Sequence, residues 1–284
     1  MFYLLKKNKN ISSFKTIRNF ALTNDIKKIG HTGTLDPFAK GLLLVATDED
    51  TKLISYIENK DKTYIAEVKF GYQTDTYDVE GKIINTSNIM IKEENLTQII
   101  TWLKNQVDQI PPIYSAKKIN GYKAYELARQ NKTFSLKKQS IKIYDAKILS
   151  FDFINQLLKI EITVSNGTYI RSLFNDCAIF FNTFAYLENL ERITISKLNI
   201  SLLKNNDFVK INDGLLFTKS KIYLSKENIS KLKNGLELIN EQKLENNEYL
   251  LVDISNKNEI LGIIEVDNNK IRSKKLFGNK LNSY

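Results

Sequence analysis

The stretch from Gly30 to Gly41 contains the residues best suited to chemistry. It holds three of the 11 glycines and one of the three prolines in the 284-residue chain, a density that predicts a shaped loop. Asp36 precedes Pro37, which disfavours helical backbone at the aspartate and places its carboxylate on the loop. A lone carboxylate suits a nucleophile or an electrostatic stabiliser, whereas paired acid–base catalysis needs a second group. The alternative interpretation is an ordinary Gly/Asp/Pro turn.

A second stretch, Asn166-Gly-Thr-Tyr-Ile-Arg171, offers a cation. Arginine can hold a carboxylate or phosphate through two parallel hydrogen bonds, and arginine is rare in this lysine-rich chain. If Arg171 pairs with Asp36, its charge favours the ionised carboxylate. The alternative is a surface arginine on a helix.

Hydrophobic periodicity predicts the elements that must position these residues. Alternation predicts a strand from Thr63 to Phe70 that carries Tyr64, which could equally be a core aromatic. Helices are predicted after Ser12-Ser13 and over 49–59, 91–107 and 169–181, and further strands over 141–150, 157–165, 193–203, 249–254, 260–266 and 270–276. This mixture predicts an α+β fold with a largely antiparallel sheet. The expected domains are residues 1–213, which are catalytic, and 214–284, which are small and β-rich.

Composition limits the partners and the compartment. Lys and Arg number 42 against 32 Asp and Glu, a net charge of +10 that favours nucleic acid or an anionic membrane surface. No apolar run approaches the roughly 20 residues of a membrane span, and the first residues lack the order of a secretory signal, so a cytoplasmic protein is expected. With only Cys177 and His31, the sequence excludes an internal disulfide and argues against a zinc site.

The segment 117–147 is strongly basic and follows Pro111-Pro112. It holds nine lysines and arginines against two acids, with four aromatic residues interleaved. This combination is typical of surfaces that bind single-stranded nucleic acid through charge and stacking. The alternative is a solvated charged face.

Five blocks, in order along the chain, resemble those of the bacterial TruB-type tRNA pseudouridine-55 synthases. They are GHTGTLDPFAKGLL (30–43), DKTYIAEVKFGYQTDTYDVEGKI (61–83), IPPIYSAKKINGYKAYELAR (110–129), NGTYIRSL (166–173) and AYLENLERITIS (185–196). The resemblance spans about residues 3 to 205. It implies the pseudouridine synthase fold, a mixed, largely antiparallel sheet flanked by helices, with an RNA-gripping thumb insertion over about 117–147. The family's N-terminal motif is degraded, since the segment from Lys7 to Ser13 lacks its proline and glycine.

The resemblance also implies roles for individual residues. Asp36 matches the catalytic aspartate, Tyr64 the active-site tyrosine, and Arg171 the arginine that pairs with the aspartate. The residues implied to contact the substrate are His31, Lys62, Tyr169 and Leu190. The implied RNA-binding residues of the thumb are Lys117, Lys118, Lys123 and Arg129.

The implied function is isomerisation of uridine to pseudouridine at position 55 in the T-loop of tRNA. The glycosidic bond moves from nitrogen to carbon with no net redox change, so an aspartate-dependent mechanism with no cofactor and no metal is expected. The target base must first flip out of its stack. The expected partner is the T-arm of tRNA, bound by a monomer that needs no other protein and no membrane.

Three alternatives have different signatures. The catalytic subunit of a guide-RNA-dependent pseudouridylation particle should carry terminal extensions and a larger C-terminal RNA-binding domain. A non-catalytic RNA-binding protein that helps tRNA to fold need not retain Asp36, Tyr64 and Arg171. A basic membrane-surface protein needs a strongly amphipathic basic helix, which the segment 117–147 does not resemble.

Overall fold

Two units make up the chain, Met1–Leu216 and Phe217–Tyr284, in a computed structural model that describes residues 1–115, 117–119, 121–130 and 133–284. The strands of the first unit are β1 (Phe2–Lys7), β2 (Ile29–His31), β3 (Lys40–Thr47), β4 (Lys62–Phe70), β5 (Tyr72–Thr74), β6 (Ile83–Thr86), β7 (Asp108–Gln109), β8 (Lys118–Ile119), β9 (Tyr122–Lys123), β10 (Gln139–Ser140), β11 (Ile143–Asp152), β12 (Leu157–Val164), β13 (Ala185–Ile195), β14 (Leu198–Asn199) and β15 (Phe208–Ile211).

A mixed sheet of nine strands organises this unit. Its order is β11-β12-β4-β13-β3-β1-β15, with β2 paired to β3 and β14 paired to β13. Among the described residues every pairing in this sheet is antiparallel except that of β13 with β3. The strict alternation of buried and half-buried residues along β4 and β12 gives one face of the sheet to the core.

Helices cover the sheet and connect its strands. The α-helices of this unit are α1 (Ser13–Thr23), α2 (Glu93–Lys104), α3 (Ala124–Arg129) and α4 (Ile170–Phe180). The Ser12 side chain caps α1 by accepting a hydrogen bond from the backbone N–H of Lys15 at 3.1 Å. Short 3₁₀ helices lie at Asp48–Tyr56, Ile200–Leu203 and Asp213–Leu215. Over the described part of the chain, no helix is both long enough and apolar enough to cross a membrane.

The second unit has its own sheet and its own core. Its strands are β16 (Lys221–Leu224), β17 (Leu238–Ile239), β18 (Asn247–Asp253), β19 (Asn256–Asp267) and β20 (Lys270–Leu276), in the order β16-β18-β19-β20-β17. Helix α5 (Lys226–Lys233) buries Ile229 and Leu232 in a separate apolar cluster with strand residues such as Leu251 and Ile264. A 3₁₀ turn at Gly278–Leu281 follows the last strand.

The α+β class and the largely antiparallel sheet are confirmed, but one predicted element was wrong in place. The helix predicted over 49–59 is present as a 3₁₀ helix at Asp48–Tyr56. The strand expected over 193–203 lies earlier, at β13, because Ser196 adopts a φ of 53° and turns the chain back, so that Asn199 pairs with Thr194. The segment 117–147 contains a small hairpin of β8 and β9, helix α3 and the start of β11.

Gly41 is the position where the sheet most needs a glycine. It opposes Arg192 at the parallel junction of β3 and β13, with a φ of 112°, and an added Cβ would stand 2.3 Å from the Arg192 carbonyl oxygen. We expect Gly41→Ala to lower the free energy of unfolding by about 1–3 kcal/mol, since backbone must move to admit the methyl group. Urea denaturation measures this. Gly121→Ala, at a φ of 89° with no described atom within 4 Å, isolates the dihedral effect, and equal losses for both variants would contradict the clash.

Candidate active site

The loop that carries Asp36 is held from below by two buried residues. The Lys7 ammonium donates to the carbonyl oxygens of Pro37 at 3.0 Å and Asn8 at 3.2 Å, and also to that of Ala39. The Ser13 hydroxyl donates to the Leu35 carbonyl at 2.7 Å and accepts from the Leu35 N–H at 2.8 Å. Burial lowers the pKa of Lys7 to about 8. These contacts fix the backbone on both sides of the aspartate.

Arg171 grips Asp36 through a forked ion pair. Its Nε lies 2.9 Å from Oδ2 of Asp36, and its Nη2 donates to Oδ1 at 3.1 Å. The guanidinium also donates to the backbone carbonyls of Thr76 at 2.9 Å and Tyr114 at 2.8 Å. Arg171 is only 4% exposed, whereas the Asp36 side chain is 35% exposed, so the arginine is a buried support beneath an accessible carboxylate.

A second carboxylate, Asp78, shares the same arginine. Its Oδ2 lies 3.2 Å from Arg171 Nη1, and it accepts hydrogen bonds from the Thr76 hydroxyl at 2.7 Å and the Glu80 N–H at 3.0 Å. Burial raises the pKa of Asp78, and Arg171 acts against that rise. Arg171 lies in the first turn of α4, where the helix dipole disfavours a cation, so these two carboxylates supply the compensating charge.

A pocket of about 460 Å³ opens beside this ion pair. Seven of the predicted site residues line it, and they come from β4, β13, the start of α4 and two loops: Asp36, Lys62, Tyr64, Lys117, Tyr169, Leu190 and Arg171. Tyr64 and Leu190 are buried, and they face the pocket from neighbouring strands, in which Leu190 pairs with Ala66. The pocket therefore combines an apolar wall, formed by Tyr64 and Leu190, with an accessible carboxylate.

Gln109 fixes the end of α4 that faces the pocket. Its side-chain oxygen accepts from the Tyr169 N–H at 2.6 Å, and its amide donates to the Tyr169 carbonyl at 3.2 Å. Burial raises the pKa of the Tyr169 phenol, so this group is a neutral hydrogen-bonding side chain at neutral pH.

Lys62 enters the pocket as a buried cation. Its ammonium donates to the Lys60 carbonyl at 2.8 Å and to the Asn166 side-chain oxygen at 2.7 Å. Burial, and next the charge of Arg192, lower the pKa of Lys62 to about 7, while Asp61 raises it and Lys60 lowers it further.

This pKa predicts a pH-dependent stability. Lys62 titrates near 7 in the folded protein against 10.5 in the reference state, so unfolding takes up a proton between these values. Within that window the free energy of unfolding of the wild type should rise by about 1.4 kcal/mol for each unit of pH increase, relative to Lys62→Met. Below the lower value the difference between the two proteins should no longer change with pH. Urea denaturation at a series of pH values measures the difference. Lys60→Met is the matched control, and parallel curves for wild type and Lys62→Met would contradict the prediction.

The remaining predicted residues fall into two groups. His31 and Lys123 line a second cavity of about 890 Å³, which shares Asp36 and Arg171 with the first. The side chains of Lys118 and Arg129 lie outside the described residues, although their backbones belong to β8 and α3. Among the described residues there is no group of three or more His, Cys, Asp and Glu side chains that could hold a metal ion.

The sequence analysis missed four residues that support or complete the site. These residues are Asp78, Gln109, Arg192 and, as a support of the loop, Lys7. Two signals were available, because Lys7 ends a strand that begins with an apolar run and Arg192 is one of the few arginines. Asp78 lies in the block 61–83 that resembles the family, but neither periodicity nor spacing singles out Asp78 or Gln109, since both act through contacts between segments distant in the chain.

The sequence matches the family described as "TruB family pseudouridylate synthase (N terminal domain)" over residues 21–170. It is 47% identical to the tRNA pseudouridine synthase B of Mycoplasma mobile, over 99% of this chain and 96% of that protein. The protein of the same name from Mycoplasmopsis pulmonis is 43% identical over 99% and 96% of the two chains. The one from Borrelia garinii is 34% identical over 93% and 94%.

Solved structures with little sequence identity share the fold. A chain of a Cbf5-Nop10-Gar1 complex superposes with a TM-score of 0.65 at 15% identity, over 97% of this chain and 84% of that one. A chain of an H/ACA RNP bound to a substrate RNA containing 2′-deoxyuridine gives a TM-score of 0.63 at 14% identity, with the same coverage.

Proposed function

The chain belongs to the TruB family of pseudouridylate synthases, and we propose that the uridine it isomerises is the one at position 55, in the T-loop of tRNA. It is an isomerase that converts uridine to pseudouridine in tRNA, in keeping with relatives of 34–47% identity that carry the name tRNA pseudouridine synthase B. The observation that best supports the assignment of the site is the forked ion pair of Arg171 with Asp36 beside the pocket lined by Tyr64 and Leu190.

In the proposed mechanism Asp36 acts on the flipped nucleoside as the nucleophile, and Arg171 orients it. The bond that the Asp36 carboxylate forms to the nucleoside breaks again before the product leaves, so the carboxylate is regenerated. Overall, the bond between N1 and C1′ breaks, a bond between C5 and C1′ forms, C5 loses its proton and N1 gains one. Tyr64 stacks on the base, a contact worth roughly 1–3 kcal/mol. Tyr169 and Leu190 enclose the base, and His31, from the adjoining cavity, occupies the space that the base leaves in the RNA.

A bare tRNA transcript tests this function. With tritium at C5 of its uridines, the transcript should release label to water when it is incubated with the purified chain alone. A transcript with cytidine at position 55 should release none. Release from that second transcript would place the target elsewhere, and release that depends on a guide RNA or other proteins would favour the particle subunit.

We also propose that the protein acts as a monomer in the cytoplasm, without an obligate protein partner. All residues of the proposed site belong to one unit of one chain, which supports a self-sufficient catalyst. Sedimentation of the chain with and without tRNA measures the stoichiometry, and a species with two chains per tRNA would contradict the monomer.

Lys117, Lys118 and Lys123 are proposed to contact phosphates of the T-arm. Each neutralised phosphate adds roughly 0.7–0.9 to the slope of log K against log salt, so replacing the three lysines with Ala should weaken binding and flatten the slope by about 1–3 units. Affinity measured across a salt series decides this. Lys92, Lys104 and Lys159 line neither cavity, and their triple Ala variant is the control. Parallel lines for wild type and the thumb variant would mean that the thumb lysines face solvent in the complex.

A further inference from the structure

We propose that Lys62, Arg192 and the open face of Gly33 form a binding site for a backbone phosphate that flanks the target uridine. The inference rests on the proposed function, because it assigns to the substrate RNA a group that the pocket would hold beside the base. It adds a charged anchor to a pocket otherwise described by its carboxylate and its stacking wall.

The two cations lie side by side on the wall of the pocket. Lys62 begins β4 and Arg192 lies on β13, where it pairs in register with Tyr64, two residues beyond Lys62. Arg192 is 1% exposed and Lys62 6% exposed, yet both line the pocket that Asp36 and Tyr64 line. Two like charges have thus been brought together at the proposed position of the substrate.

Neither Lys62 nor Arg192 forms an ion pair with a carboxylate in the described part of the chain. Lys62 donates to two neutral oxygens, which leaves one N–H of the ammonium available. Arg192 donates from Nε to the Leu42 carbonyl at 2.8 Å and from Nη2 to the Gly33 carbonyl at 3.1 Å, and its Nη1 has no partner among the described residues.

Gly33 leaves space beside these free donors. A Cβ built on this glycine would stand 3.7 Å from Arg192 Nη1 and 3.9 Å from Lys62 Nζ, so both nitrogens surround one small volume. The nearest atom to that Cβ would be Cε of Lys62 at 3.4 Å, an ordinary van der Waals contact, and Gly33 has no left-handed backbone. The backbone conformation of Gly33 is therefore open to any residue. What the glycine contributes is the absence of a side chain, which leaves this volume empty beside the two cations.

An anion fits this volume better than a neutral group. Burying a charge without a counter-charge is unfavourable, and a uracil carbonyl would leave the two cations uncompensated. A phosphodiester brings one negative charge and two non-bridging oxygens, one for the free N–H of Lys62 and one for Nη1 of Arg192. The lowered pKa of Lys62 in the free protein agrees with a site whose counter-charge arrives with the ligand.

A thermodynamic cycle between protein and RNA tests the proposal. The probes are T-arm stem-loops in which a neutral methylphosphonate replaces the phosphate 5′ or 3′ of the target uridine. Binding is measured to two proteins that both carry Asp36→Asn, one with Lys62 and one with Lys62→Gln. At one of the two positions the methylphosphonate should weaken binding to the Lys62 protein at least about tenfold, as expected for a hydrogen bond between charged groups. It should weaken binding to the Lys62→Gln protein by less than about twofold. The position that couples identifies which phosphate is bound.

Lys60→Gln, which removes the same charge two residues away and lines neither cavity, is the matched control and should couple with neither methylphosphonate. Gly33→Ala provides a second route, since it should fold normally but lose about tenfold in affinity for the phosphodiester RNA alone. If Lys62 couples with neither phosphate, or if Gly33→Ala binds the phosphodiester RNA like wild type, the inference falls. Wild-type turnover of the unmodified stem-loop is measured in parallel, so that a failure of the proposed function is recognised separately.

Discussion

Asp36→Asn should abolish turnover and leave RNA binding nearly intact. The amide has the shape of the carboxylate but cannot act as a nucleophile, so we expect the rate of label release to fall at least about 10³-fold. The fold should persist, because Asp78 and two backbone carbonyls continue to hold the Arg171 guanidinium. Single-turnover label release and equilibrium binding to the same T-arm RNA separate the two effects.

The control for this variant is Asp207→Asn, which makes the same change at an exposed aspartate that lines neither cavity. It should turn over RNA like wild type. An Asp36→Asn protein with turnover within about tenfold of wild type would remove Asp36 from the role of essential carboxylate, since loss of a nucleophile costs far more than that.

Sequence analysis could predict the parts of the site that depend on neighbouring residues in the chain. Glycines and a proline around Asp36 predicted its loop, and alternation from Thr63 to Phe70 predicted the strand that presents Tyr64. Strand β3 was missed because its run of apolar residues lacks alternation, being buried on both faces. A short continuous apolar run fits a buried strand and a buried helix equally well. Its type is settled only by its pairing with neighbouring strands in the folded protein.

The supports of Asp36 were less accessible because they depend on tertiary contacts. Lys7 looks like an exposed end of a strand, yet it is fully buried and its ammonium reaches carbonyls more than 25 residues away. Asp78 meets Arg171 across 93 positions of sequence. Buried charges of this kind follow no periodicity, and they become visible only when the fold places donors and acceptors together.

Arg171→Lys should cause the second-largest loss of activity, although it conserves charge. A lysine ammonium cannot reproduce the fork that holds both oxygens of Asp36 while it also reaches Asp78 and the carbonyls of Thr76 and Tyr114. The carboxylate should then lose its fixed position. A misplacement of about 1 Å is enough to cost about 10²-fold in rate. We expect the loss in kcat rather than in KM, because Arg171 lies beneath Asp36 and is itself only 4% exposed.

Thermal stability gives this prediction a second readout. Asp78 is 3% exposed, and a shorter-reaching cation would leave its carboxylate with fewer donors, a change that should lower the free energy of unfolding by about 1–3 kcal/mol. Arg18→Lys, on the exposed face of α1, controls for the exchange of one cation for another and should alter neither activity nor stability. If Arg171→Lys matched Arg18→Lys in kcat, Asp36 would not need the forked contact. The arginine would then only neutralise charge, a role that any cation at this place could fill.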